Sequence, residues 1–337
     1  MKFRLFICFL LIQCTLTLGA YEVEEVVILG AGAAGSSAAI FVGQANLKPL
    51  VIQDSDCNAQ MALIHNIDNY PGIYDEVEGI ALLNTFRQQA EKFGARFNEK
   101  DTVVDVDLQN FPFRIELFSG KIIYSKTLII AAGTKKKWLG LPNETALRGK
   151  GVIAASFCKD TNFVDKKIVV IGGGHAALQE AHHLAQVAKE VTLVNRGDKF
   201  NASRFHQDLV FSNDKIKVIY ETEVEDILDV SEGKVTGVIL KDNHSKKTYQ
   251  IPADILLVAI GNKPNSDLFK DQLELSPSGQ VVINGKNSMT SVPGVFAAGD
   301  VSDVSYGRVV IAAGAGGMAA MDAIHYLDWL REKQSDE

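Results

Sequence analysis

Cysteine is scarce in this 337-residue chain: there are four, and Cys8 and Cys14 fall within the first 20 positions. The two that remain, Cys57 and Cys158, are too few for a disulfide framework. Proline (8) and tryptophan (2) are sparse as well, and no low-complexity tract appears, so a Pro-rich or disordered scaffold is excluded. Positive charge is in deficit, with 34 Lys and Arg against 41 Asp and Glu, a formal −7. No Lys/Arg stripe offsets that balance, which argues against nucleic acid as a partner. The run Lys135–Lys136–Lys137 reads as a solvated linker. No G-x-S-x-G is present, so serine-nucleophile chemistry has no motif. His175, His182 and His183 share one expected helix without an i, i+4 pair, and no metal site is expected from them.

The N-terminus reads as an address. Lys2 and Arg4 precede an apolar run from Leu5 to Leu18, then Gly19–Ala20 and an acidic stretch. That is the charged, apolar, small-residue order of a secretory signal peptide, assigned to residues 1–20. The run is shorter than the ~20 residues a spanning helix needs, so no stable membrane anchor is expected. Export to a periplasm, the secretory pathway or the exterior would follow. Losing Lys2 and Arg4 would take the charge to −9, with 32 basic against 41 acidic side chains.

What the chain has in quantity is glycine (28), and its placement repeats. A short apolar strand, Val26–Leu29, runs into Gly30-Ala31-Gly32-Ala33-Ala34-Gly35. A helix with Ala34, Ala38, Val42 and Ala45 on one face follows, then a strand, Leu50–Ile52. The plan recurs at Ile168–Ile171, Gly172-Gly173-Gly174-His175-Ala176-Ala177, a helix lined by Ala177, Ala181, Leu184 and Ala188, and the strand Val191–Val194. Residues 102–131 and 222–260 each read as a β-meander ending in an apolar strand and a glycine. The fold class is therefore α/β: two Rossmann-like three-layer nucleotide-binding domains, each with a β-meander.

In the first copy Gly30 permits the tight turn, Gly32 lets a pyrophosphate approach the backbone, and Gly35 lets the helix lie close. Asp54, near the end of the second strand, is placed to hold a ribose. In the second copy Gly172, Gly174 and Ala177 take these roles, and Arg196 stands where a carboxylate would be. Arg196 fits a 2′-phosphate or merely solvates a loop. Near the C-terminus, Gly294–Ala298 reads as a strand, followed by Gly299–Asp300 and a helix rich in small residues. Asp300 can cap that helix or accept a hydroxyl hydrogen bond; composition does not separate the two.

From about residue 24 to residue 328 these stretches together resemble low-molecular-weight thioredoxin reductases. The strings are "ILGAGAAGSSAAIFVGQANLKPLVI", "IDNYPGI", "RGKGV", "IVVIGGGHAALQEAHHLAQVAKEVTLVNR", "AIGNKPNSDLF" and "TSVPGVFAAGDV". The resemblance implies a discontinuous FAD domain (21–134 and 262–337), with an NAD(P)H domain carrying Cys158 (135–261) inserted. Hinges would lie in "AAGTKKK" and "IGNKPNS", and the chain would be a homodimer. On the flavin side the expected contacts are Gly30, Gly32, Gly35, Gln53, Asp54, Gln60, Asn69, Gly299, Asp300, Arg308 and Val309. On the NADPH or NADH side they are Gly172, Gly174, Ala177 and Arg196.

The chain departs from that family at its chemistry. Counting back from Gly172 places the family's Cys-x-x-Cys on Ala155 and Cys158, so the first thiol is missing. Lys159 stands at the acid/base Asp, and Gly197 and Asn201 stand at two arginines of the NADPH loop. Cys158 is the one candidate catalytic residue, and Lys159 beside it would favour thiolate. The reading is an FAD-dependent NAD(P)H oxidoreductase that hands electrons to a thioredoxin-like protein or a small acceptor, with its dithiol pair incomplete. The alternatives are a ferredoxin- or quinone-type reductase without thiol chemistry and a non-catalytic nucleotide-binding protein.

Overall fold

The computed structural model describes residues 22–53, 60–64, 66–154, 161–303 and 305–335. The leader assigned to 1–20, and Asp54, Cys57, Ala155, Cys158 and Lys159, lie outside them. In chain order the first elements are β1 (Val23–Leu29), α1 (Ala33–Gln44), β2 (Leu50–Ile52), α2 (Gly79–Lys92), β3 (Arg96–Asn98), β4 (Val103–Asp107), β5 (Phe113–Leu117) and β6 (Ile122–Ile130). There follow β7 (Thr134–Lys136), α3 (Pro142–Leu147), β8 (Val152–Ile153), β9 (Lys167–Ile171), α4 (His175–Leu184) and β10 (Glu190–Val194). Next come α5 (Arg204–Phe211), β11 (Ile216–Ile219), β12 (Thr222–Ile227), β13 (Gly237–Asp242), β14 (Thr248–Pro252) and β15 (Ile255–Val258). The chain ends with β16 (Asn262–Pro264), β17 (Val295–Ala297) and α6 (Val309–Ser335).

β6 explains the first sheet. Its first half alternates between covered and partly exposed residues, and its last four are all buried. Alternation suits an antiparallel strand with one wet face, and a continuous apolar run suits a parallel strand covered on both. Accordingly Ile122–Ser125 pair antiparallel with β5, while Leu128–Ile130 pair parallel with β17. The opposite edge of β6 pairs parallel with β1, and the order continues through β2 to β3. α1 and α6 cross one face at backbone contact: a Cβ at Gly316 would fall 2.0 Å from the Ala34 carbonyl oxygen. α6 is long and apolar enough to cross a membrane by length and composition, but its stripe Ala313, Gly316, Ala320, Ala323 and Leu327 is buried in the core.

The second sheet is all parallel, β11-β10-β9-β15-β8. Here the structure differs from the sequence expectation. The second meander does not run into the parallel sheet; β12-β13-β14 form a separate antiparallel sheet. β14 is largely exposed and stops at Pro252, which has no N–H to continue a ladder. Two residues on, Asp254 is clamped to β9 by paired bonds with Lys167: its N–H donates to the Lys167 carbonyl, and its Oδ2 accepts the Lys167 N–H, both at 2.8 Å. Helix ends also shift: Ala45 is the exposed cap of α1, and Ala188 is buried from the loop beyond α4.

β7 and β16 join the two sheets as an antiparallel ladder, Lys136 opposite Asn262 and Thr134 opposite Pro264. Lys135 and Lys136 thus lie in a strand, and the run is not a free linker. Lys135 and Lys137 are exposed, but Lys136 is half-buried, and burial pushes its ammonium below the usual lysine range, partly offset by Glu180 and Asp300. Beyond the ladder, fully buried Glu144 accepts the N–H groups of Leu139 (2.8 Å) and Gly140 (2.9 Å). Arg148 lies 3.6 Å from the same carboxylate and stacks 4.1 Å from the Trp138 ring centroid. These bonds fix the path into the second sheet.

Candidate functional site

The two glycine turns are built alike. β1 and β9 end in glycines at positive φ, Gly30 at +106° and Gly172 at +145°. Each donates its N–H to the end of the neighbouring strand, Gly30 to Ile52 O at 2.8 Å and Gly172 to Val194 O at 3.0 Å. A Cβ on either would lie 2.3 Å from a carbonyl on the other side, Ala131 or Ala259. Only glycine fits both positions. A Cβ at Gly35 would stand 1.8 Å from the Gly30 oxygen, so α1 rests on the turn itself. Ala177, the third position of the second copy, is fully buried and faces Gly172.

Above each turn a helix begins without a side-chain cap and with no acid in its first turn. The first N–H groups of α1 and α4 are thereby left for an anion, with the positive end of the helix dipole behind them. Gly174 has open space where a Cβ would project, with nothing within 4 Å. Protein packing does not demand glycine there, and the backbone is left open to close approach by a ligand.

A cavity of about 460 Å³ lies over the first turn, at the carboxyl ends of β1, β2, β6 and β17. That is the place where open α/β sheets bind ligands, and the size is that of a small-molecule site. Of the expected flavin contacts its wall carries Gly30, Gly32, Gln53, Gln60, Gly299, Asp300, Arg308 and Val309. Gly35 lies behind the turn, Asn69 is exposed and off the wall, and Asp54 is outside the described residues. Sequence reasoning missed Met61, Thr134, Asn265 and Phe269, which also line it. They come from separate segments; the only available signal was that Thr134 and Asn265 sit in the two hinge strings. Gln60 Nε2 donates to the Thr134 carbonyl at 2.8 Å, and Asn265 Nδ2 to the Ala132 carbonyl at 2.8 Å, so the ladder closes this wall.

Asp300 is partly buried at the end of β17, and its carboxylate has no hydrogen-bond partner among the described residues. Burial raises it above the usual carboxylate range; Asp303 pushes the same way, and Lys136 pulls back. An orphaned acceptor in a walled cavity fits a polyhydroxylated ligand chain such as ribityl, with the pyrophosphate on α1. The cavity, the α1 turn and Asp300 therefore fit FAD.

At the second turn Arg196 is exposed just beyond β10. Asn195, at the strand end, is buried and donates Nδ2 to the Lys199 carbonyl at 2.8 Å. Arg204 is turned to its own helix, pairing with Asp208 at 2.9 Å. Of the α4 histidines, His182 is half-buried, His183 is exposed, and His175 accepts a backbone N–H.

Two dinucleotide turns, one on a mixed sheet and one on an all-parallel sheet, joined by a two-strand ladder, define a two-domain dinucleotide-binding oxidoreductase. Residues 24–320 match the pyridine nucleotide-disulphide oxidoreductase family. The chain is 38% identical over 305 residues to the thioredoxin reductase of Rickettsia conorii, covering 90% of this chain and 98% of the relative. Among solved structures it is similar to the thioredoxin reductase of Giardia duodenalis (34% identity, TM-score 0.67, 90% and 98% of the two chains). It is also similar to that of Lactococcus lactis in the FR conformation (26%, TM-score 0.79, 90% and 99%). The chain belongs to the low-molecular-weight thioredoxin reductase family and is an FAD-dependent NAD(P)H oxidoreductase.

Proposed function

We propose that this enzyme takes a hydride from NADPH into FAD and releases the electrons to a small acceptor, with Cys158 auxiliary. The observation that carries the reading is the pair of glycine turns, each with an uncapped helix start, beside a cavity that fits FAD. Bound FAD would supply the two-electron chemistry. The chain's own residues would do the rest: Gly30, Gly32 and α1 take the pyrophosphate, Gln60 and Asp300 orient the flavin's polar groups, and Gly172, Gly174 and Arg196 receive the nucleotide. The relatives are named for thioredoxin, but Ala155 in place of the first thiol removes the internal dithiol. Transfer through Cys158 to a single thiol of a thioredoxin-like partner is the second reading, supported by Lys159 beside it. Anaerobic reductive titration separates the cases. About two electrons per flavin are expected, FAD being the only centre. About four would require a second redox centre and restore dithiol turnover.

Export and dimerisation are part of the same proposal. The order Lys2, Arg4, Leu5–Leu18, Gly19–Ala20 supports a cleaved leader. A groove between α1 and α6 supports a second copy of the chain: Phe41, Met318 and Met321 line it, 42%, 54% and 43% exposed, around Gly314 and Gly317. Native mass spectrometry of protein secreted by an expressing cell reads both. The expected mass is that of two chains, each shortened by about 20 residues; a full-length monomer would refute both.

A further inference from the structure

The loop between β10 and α5 is tied to the second glycine turn at three points. Asn195 packs its side-chain oxygen against Gly173, where a Cβ would lie 2.5 Å away. The Asn201 N–H donates to the Gly173 carbonyl at 2.7 Å. The Ser203 N–H donates to His175 Nε2 at 3.0 Å, which puts the ring's proton on Nδ1. Ser203 Oγ is also 2.8 Å from His206 Nδ1, and the two imidazoles meet edge to face, centroids 5.3 Å apart. The first residue of α4 is thus bonded to the N-cap of α5, and the loop that carries Arg196 and Lys199 is framed between them.

We infer that His175 is a positioning residue for nucleotide selectivity: through Ser203 it holds the loop that reads the adenosine 2′-substituent. The inference rests on the proposed reading of the second turn as the pyridine-nucleotide site. There the pyrophosphate lies at the start of α4, and the adenosine ribose reaches the end of β10, beside Arg196. The loop has few cations for a 2′-phosphate. Arg204 is paired with Asp208, Asp198 stands between Arg196 and Lys199, and Gly197 and Asn201 contribute none. With so little charge, the loop discriminates only if it is already in place, because a loop that orders on binding loses affinity to that ordering.

The test is calorimetric titration of the full chain with 2′,5′-ADP and 5′-AMP. In His175→Leu the preference for 2′,5′-ADP should fall about five- to tenfold, the size of one lost hydrogen bond. Binding of 5′-AMP should stay within about twofold, since it lacks the 2′-phosphate whose contacts the loop would supply. His175→Gln, whose amide oxygen reaches about as far as Nε2 and can accept the Ser203 N–H, should recover most of the preference. Ser203→Pro removes the donor from the other side at a φ of −62° that suits proline, and should reproduce the loss. It also carries the test if His175→Leu does not fold. An unchanged preference, or equal weakening of both probes, overturns the inference. A wild-type chain that binds neither probe sinks the nucleotide-site reading itself, and the inference with it.

Discussion

Replacing Gly35 by valine leaves the chain without bound flavin. The new Cβ would stand 1.8 Å from the Gly30 oxygen and 3.3 Å from the Ala131 Cβ, and none of these groups has room to yield. Gly30 is bonded to Ile52 at 2.8 Å and lies under Ala131. α1 cannot lift away either, because Gly316 of α6 is against Ala34 on its far side. Overpacking of this kind costs typically 1–3 kcal/mol, and backbone-on-backbone overlap puts Gly35→Val beyond it, at about 4 kcal/mol or more. The first sheet should melt early and the purified protein should be colourless, read by flavin absorbance per chain and by thermal unfolding. Gly174→Ala is the contrast. Its Cβ meets nothing within 4 Å, so stability should change by no more than about 1 kcal/mol while nucleotide binding is lost. A yellow, stable Gly35→Val protein would show that the first turn does not hold the flavin.

Asp300→Asn should move stability and flavin affinity in opposite directions. Burial raises the folded-state pKa of Asp300 above its unfolded value, Asp303 adds to the rise, and Lys136 offsets part of it. A carboxyl raised by folding favours the fold while protonated, and that contribution is lost as pH rises through the folded value. Above that folded value the wild-type apoprotein therefore carries a cost for ionising this partly buried carboxyl. The asparagine variant should unfold at a higher temperature than wild-type apoprotein at pH 7, with the difference closing in acid, where the wild-type carboxyl is neutral too. The same change removes a charged acceptor for a ligand hydroxyl, worth roughly 1.5–3 kcal/mol. FAD affinity should fall roughly ten- to a hundredfold. Thermal melts of apoprotein at several pH values and fluorescence titration with FAD check the two halves. If apo stability fell instead, the Asp300 carboxylate would be stabilising the fold itself and would not be held free as a ligand acceptor.

Much of this site was legible in the sequence because its parts are local. A strand that feeds a glycine turn and a helix is specified within about 30 residues, so both turns could be placed from spacing alone. The family strings carried the order of the domains and the departure at Ala155. What spacing could not supply was the cavity wall. Met61, Thr134, Asn265 and Phe269 are brought together only when β7 and β16 pair, and that pairing links residues more than 120 positions apart. Asn69, carried over from the resemblance, is exposed and away from that wall.

The sequence by itself therefore determined the α/β class and the two dinucleotide turns, since each rests on residue identity and near spacing. Only the tertiary structure decided how the chain uses those parts. It divided β6 between an antiparallel and a parallel partner, and it detached the second meander from its sheet. It also drew Lys136 out of solvent into the field of Glu180 and Asp300, and bonded His175 to the N-cap of the following helix. The reason is physical: burial and charge depend on what lies across space, and a side chain's neighbours across space are set by the packing of distant elements and not by its own stretch of chain.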